Sequence, residues 1–285
     1  MRFLAVWFCG VGAISGTGSA IAGESGPLED AFRILDGTRT GAAIHERARK
    51  SGIPVVLGSV SKTDLVATRK GGSSGSGAGA RTEVLTEVRV SVAFNKEPVF
   101  QALDLAHELT HAAESRPNPF DPKLDPITYV KSGIEGAGGE ASAIRAECEV
   151  GKEILGAARR LKIGSATRLL IRARCASVWR AAAEPARWID TFYQLGHHYW
   201  DFMHALSGLG LDQARLARWK RRLKARSPLF SSAVTHKPYP LALLEEYIDM
   251  TRKVCAHVKN TPARDPASGA RFEGRCEALG LEREP

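Results

Sequence analysis

The sequence has no internal repeat, no Cys-x-x-Cys pair and, beyond its first two dozen residues, no apolar run long enough to cross a bilayer. Each absence closes off a class. Without repeats there is no basis for a solenoid. Without close cysteine pairs there is no cysteine-ligated zinc module. Without a later apolar run, the body of the chain carries no integral membrane segment. No known nucleic-acid-binding module is present either, so the excess of 40 Lys and Arg over 31 Asp and Glu, a formal charge of +9, names no partner and gives no reason to expect nucleic acid.

The first residues are arranged as a leader. Arg2 precedes an apolar stretch from Phe3 to Ile14, broken by Gly10 and Gly12, and small residues lead to Ala20-Ile21-Ala22. A charged start, an apolar centre and an A-x-A end predict a cleavable export signal over residues 1–22, cut after Ala22, and hence a periplasmic or secreted protein. Removing Arg2 lowers the formal charge from +9 to +8. It also removes Cys9, leaving Cys148, Cys175, Cys255 and Cys276. Four cysteines in an exported chain predict two disulfides.

The mature chain changes texture along its length. Two short helices are expected between Pro27 and Gly52, the second starting near Thr40 and closed by Gly52. Three strand-like runs follow, IPVVLGSV, DLVATRK and EVLTEVRVSVAF. In the last, Val88, Val90, Val92 and Phe94 share one face, and Glu87, Arg89, Ser91 and Ala93 the other, as in a half-buried strand. GGSSGSGAGA, Gly71 to Ala80, separates the second and third runs as a loop too polar and small to build a core.

From Pro98 onward helix dominates. Segments are expected from Pro98 to no further than Arg116, before Pro117, then, past a loop to about Gly139, from about Glu140 to Lys162. Further helices follow at Ala166 to Ala183, Arg187 to Leu206, Asp212 to Arg226 and Pro240 to Val258. The fold class is therefore α+β and predominantly helical, with a small antiparallel sheet. We divide it into a signal (1–22), a core (23–164) and a helical C-terminal region (165–285). An antiparallel helix pair turning near Ile163–Ser165 would set Cys148 level with Cys175. Cys255 and Cys276 would then pin the tail.

The chemistry concentrates in LDLAHELTHAAE, Leu103 to Glu114. Residues four apart share a helix face, so His107 and His111 can offer two imidazole nitrogens to one metal ion. Glu108, turned about 100° from His107, is placed to take a proton from a water that zinc has made acidic. This is the zincin pattern. The variant with a third histidine, H-E-x-x-H-x-x-G-x-x-H, is excluded because Glu114 and Pro117 stand where it needs Gly and His. Glu114 lies too far along the axis to serve as ligand. Glu140 and Glu147, seven residues apart on a later helix, are the candidates for the third ligand, and we favour Glu140. The other would support a histidine from behind.

AHELTHAAE followed by GEASAIRAE resembles the gluzincins, zincin metallopeptidases whose third zinc ligand is a glutamate, and in particular their small bacterial branch. The resemblance covers about Thr40 to Gly156 and rests on His107, Glu108, His111 and Glu140. It implies Zn2+ as cofactor, a protein or peptide as substrate and Glu108 as general base. It further implies that strand 84–94 could hold extended substrate edge to edge. Where thermolysin-type members place an acidic residue four after the third ligand, this chain has Ile144; Glu147 or Asp104 would have to substitute. A downstream His or Tyr often stabilises the oxyanion in the group, for which Tyr193, His197, His198, His236 and Tyr239 are candidates. A zincin-like binding protein with little turnover, or a secreted effector protease, are the alternative readings. ARLARWKRRLKARS, with Leu216, Trp219 and Leu223 on one side and a basic opposite face, is expected to be a packed helix with a solvated face.

Overall fold

The structure, a computed structural model, describes residues 28–70, 83–94, 96–114, 123–181, 185–193, 237–260 and 274–277, with Gly26, Pro117 and Asp121 as isolated points. The expected signal segment, the Gly/Ser loop and the basic helix near 212–226 lie outside the described residues. The described part is α+β and mostly helical, with one three-stranded sheet. It divides into two compact units. One holds the described residues up to Ala113 together with Ala146–Ala176, and the other Glu114–Arg145 with those from Ser177 on.

The first unit begins with α1 (Glu29–Asp36) and α2 (Arg39–Lys50). Thr38 separates them. Its side chain accepts from the Gly41 amide at 3.1 Å as N-cap of α2, and its hydroxyl donates to the Leu35 carbonyl at 2.7 Å. α2 ends as the sequence predicts. Gly52 takes φ +65°, and its amide bonds Arg49 while that of Ile53 bonds Ala48, the paired bonds of a Schellman motif.

β1 (Val55–Gly58), β2 (Lys62–Lys70) and β3 (Glu83–Ala93) form a sheet in the order β1-β3-β2. β2 pairs antiparallel with β3, as expected of neighbours joined by a long loop. β1, however, runs parallel to β3, Val55 opposite Val90, so the sheet is mixed rather than wholly antiparallel. Val90–Ala93 is bonded to β1 on one edge and to β2 on the other over Val90 and Ser91, and Ser61 takes the Ala93 amide. The end of β3 that leads into the next helix thus has no edge free for a peptide.

The alternation along β3 also breaks at that end. Val90 and Val92 are fully buried, yet Ser91 and Ala93 are buried as well, and Phe94, past the end of the strand, is 65% exposed. Coverage on both faces replaces the half-buried pattern.

α3 (Pro98–Ala112) starts on Pro98 at a first-turn position, where the missing N–H costs nothing. Every residue from Val99 to Ala112 is buried. A helix buried all round is ordinarily apolar all round, because a buried polar group costs free energy unless it is bonded. Leu103, Leu105 and Leu109 meet that expectation, in one core with Leu35, Ile44, Val92, Val150, Ile154 and Ile171. Gln101 donates to the Ala93 carbonyl at 3.0 Å, and Thr110 to Ala106 at 2.7 Å. The other polar residues of α3 are Asp104, His107, Glu108 and His111.

α5 (Glu140–Gly156) is one unbroken helix whose residues to Arg145 cluster with the second unit and whose remainder clusters with the first. It is shorter than the predicted helix to Lys162. Residues 157–162 are turns, and Lys162 takes φ 53° before α6 (Ser165–Ala181) begins. Cys148 and Cys175 are disulfide-bonded across this hairpin, with Cα atoms 5.5 Å apart. Gly151 permits the approach: a Cβ there would lie 3.2 Å from Ile171 Cγ2 and 3.6 Å from Leu103 Cδ2.

The second unit contains α4 (Pro126–Glu135), α7 (Pro185–Tyr193) and α8 (Tyr239–Asn260). α4 falls within the stretch expected to be loop up to Gly139. Asp125 caps it by accepting from the Ile127 and Thr128 amides, and Pro126 opens its first turn. Tyr129 donates to Glu246 at 2.8 Å and Tyr247 to the Leu124 carbonyl at 2.9 Å, tying α4 to α8. Cys255 and Cys276 form the second disulfide. Among the described residues, no helix is long and apolar enough to cross a membrane.

Candidate metal centre

His107 and His111 project from the same face of α3, one turn apart and almost wholly buried. Their Nε2 atoms lie 3.0 Å from each other, with the rings edge to face at a centroid distance of 4.7 Å. The Nδ1 of His107 faces Glu147 Oε2 at 3.1 Å. A carboxylate can only accept there, so Nδ1 carries the proton, and in the neutral ring Nε2 then keeps its lone pair. Two imidazole nitrogens held by one tetrahedral zinc stand about 3.3 Å apart, given Zn–N bonds of about 2.0–2.1 Å. The pair is spaced to share an ion.

Glu140 opens α5, two turns before Glu147 on the same unbroken helix. His107, His111 and Glu140 form a group that could hold a metal ion. Glu140 is half-buried, with its Oε2 shielded from solvent. Two imidazoles and a carboxylate are a donor set that fits zinc, and the group can hold a metal ion. One other cluster of such side chains exists among the described residues, Glu147 with Cys148 and Cys175, but its sulfurs are spent in the disulfide.

Behind the histidines is a buried ionic lattice. Glu147 gives one oxygen to His107 and accepts on the other from Arg174 Nε of α6. Arg174 Nη2 reaches Asp104 Oδ1 at 3.3 Å. The other oxygen of Asp104 accepts from Ser61 Oγ and Lys96 Nζ. Asp104 and Glu147 are thus matched by Lys96 and Arg174, as burial of charge requires. Burial pushes the Glu147 carboxyl up, but the Arg174 guanidinium and the His107 hydrogen bond outweigh it and hold the group below the usual carboxylate range. Glu147 therefore stays ionised and can accept from His107. Glu147 bonds His107 directly, while Asp104 reaches the histidines only indirectly through Arg174 and Glu147.

Glu108 is buried beside His107, and the Thr63 hydroxyl lies 2.8 Å from its Oε2 and 2.9 Å from its carbonyl oxygen. Thr63 stands at the start of β2, so the sheet restrains the side chain proposed as the base.

The remaining candidates fare differently. Glu114 is past the end of α3 and outside the histidine cluster. The Tyr193 hydroxyl donates to Glu135, and Tyr239 packs against Phe192 with ring centroids 6.0 Å apart. His197, His198 and His236 lie outside the described residues. Sequence reasoning missed Ser61, Thr63, Lys96 and Arg174. Only Arg174 left a trace: it precedes Cys175 as Glu147 precedes Cys148, so the expected disulfide already placed the two together.

No family model, curated protein or solved structure matches the chain.

Proposed function

We propose that this protein is an exported zinc metallopeptidase of the gluzincin type, with His107, His111 and Glu140 holding the metal and Glu108 acting as general base. The observation that carries the reading is the pair of Nε2 atoms 3.0 Å apart on a buried helix, with His107 oriented by Glu147. A helix does not bury two histidines and two carboxylates at adjacent turns without a use for them, because each must be desolvated and partnered.

Zinc, when bound, supplies Lewis acidity, polarising the scissile carbonyl and making water a nucleophile at neutral pH. The rest of the work falls to the chain. Glu108 takes the proton from the water as the water oxygen bonds the scissile carbon and passes it to the amide nitrogen, so that the C–N bond breaks and a neutral amine leaves. Thr63 keeps the Glu108 carboxylate from swinging away. Glu147 keeps His107 in the Nδ1–H tautomer, so the ring presents its lone pair. Disulfides at Cys148–Cys175 and Cys255–Cys276 suit an oxidising compartment, in keeping with export.

Glu108→Gln is the direct test. The amide preserves shape but cannot take a proton, so peptide hydrolysis should fall by about 10²-fold or more while zinc content is unchanged. A zincin-like binding protein would keep its full measured activity, binding or assembly, in that variant, and such a result would replace the peptidase reading.

A further inference from the structure

We infer that Arg174 and the Cys148–Cys175 disulfide form a brace that positions His107 through Glu147, so that metal affinity depends on groups that never touch the metal. The inference rests on the zinc reading above and deepens it.

Three helices meet at one guanidinium. Arg174 of α6 donates from Nε to Glu147 of α5 and from Nη2 to Asp104 of α3, three residues before His107. Glu147 has committed one oxygen to Arg174 and the other to His107, so its carboxylate cannot turn without breaking one contact. The fork geometry explains the choice of residue: an arginine reaches two carboxylates from one planar group, whereas an ammonium has no such span. Arg174 is itself nearly buried, its side chain 8% exposed, and Lys96 and Ser61 hold the far side of Asp104.

The disulfide fixes the lattice from the next residue along. Cys148 follows Glu147 and Cys175 follows Arg174, and the two Cα atoms stand 5.5 Å apart. Successive Cα atoms are about 3.8 Å apart, so the covalent link limits how far the Glu147 and Arg174 backbones can separate. At Gly151, one turn beyond Cys148, the lack of a side chain lets Ile171 close on α5. Without the brace Glu147 is free to choose another rotamer, and the His107 ring loses what holds its Nε2 at 3.0 Å from that of His111. Arg174 is therefore a positioning residue rather than a catalytic one.

The test measures zinc affinity by competition with a chromophoric chelator, and the visible spectrum of the cobalt(II)-substituted protein, on the full chain. Glu147→Gln and Arg174→Lys should each weaken zinc binding by about 10- to 100-fold, the range seen when groups behind a metal ligand are changed. Because Arg174 acts through Glu147, the double variant should bind no more weakly than the poorer single one, and the cobalt spectrum of R174K should shift as that of E147Q does. Replacing Cys148 and Cys175 together by Ala leaves every polar group in place, and it should also weaken zinc binding. That variant carries the test if R174K does not fold. Zinc affinity within about twofold of the unaltered chain in R174K or in the cysteine variant would overturn the brace, as would losses that multiply in the double variant. If the unaltered chain binds no zinc, the metallopeptidase reading fails and the brace with it. If it binds zinc and R174K binds equally well, only the brace fails.

Discussion

The buried polar side chains of α3 answer to partners that, Thr110 and His111 apart, the helix itself does not supply. Gln101 and Thr110 find backbone carbonyls, Asp104 finds Ser61, Lys96 and Arg174, His107 finds Glu147, and Glu108 finds Thr63. The Thr63 contact has a catalytic consequence. Replacing Thr63 by Val removes the hydroxyl at nearly constant volume and frees the Glu108 carboxylate to rotate. We expect kcat for peptide hydrolysis to fall about tenfold with zinc content unchanged, since a general base must stay within hydrogen-bond reach of its proton. Unaltered kcat would show that the hydroxyl serves only the backbone of α3.

At the scale of elements, α5 ties the first unit together through Glu153 as well as through Glu147. The Glu153 carboxylate accepts from Thr40 Oγ1 at 2.6 Å and from the Thr40 amide at 3.1 Å, covering the first turn of α2. Its slight burial works to raise the carboxyl pKa, but the Thr40 and Arg39 hydrogen bonds hold it below the usual carboxylate range. The sign of the linkage follows. A carboxyl depressed in the folded state contributes stability above its unfolded pKa and loses that contribution as pH falls through the folded value. Glu153→Gln should therefore lower the denaturation midpoint at neutral pH, and the difference from the unaltered chain should close in acid. A difference that persists unchanged at low pH would contradict this role.

The elements were unevenly legible in the sequence. α2, its Gly52 terminus and the Pro98 start of α3 follow from capping chemistry, which is local. α4 carried the same signals in Asp125 and Pro126, but the surrounding Pro, Asp and Gly obscured them. α5 stops at Gly156 although Ala157-Ala158-Arg159-Arg160 favours helix, because the turn through Lys162 brings α6 back. That closure is tertiary and has no local code. The parallel placement of β1 is of the same kind: Val55–Gly58 reads as strand, but nothing in it names its partner or direction. At the site, the spacing of His107, Glu108 and His111 was readable because one helix carries all three. Thr63, Lys96 and Arg174 come from segments with no motif of their own, and a fold was needed to place them.

Over the whole molecule, each compact unit is closed by one disulfide, Cys148–Cys175 in the first and Cys255–Cys276 in the second, separated by 27 and 21 residues in sequence. Linking positions this far apart removes freedom chiefly from the unfolded chain, a contribution of about 3 kcal/mol each in the chain-entropy picture. The central claim is that the buried histidine pair, with Glu140, holds one zinc ion. Its most direct test is the metal content of the full chain by elemental analysis, beside that of His107→Ala/His111→Ala. The account predicts one zinc per unaltered chain, lost from the double variant. Zinc retained without the two histidines, or no zinc in the unaltered chain, would contradict it.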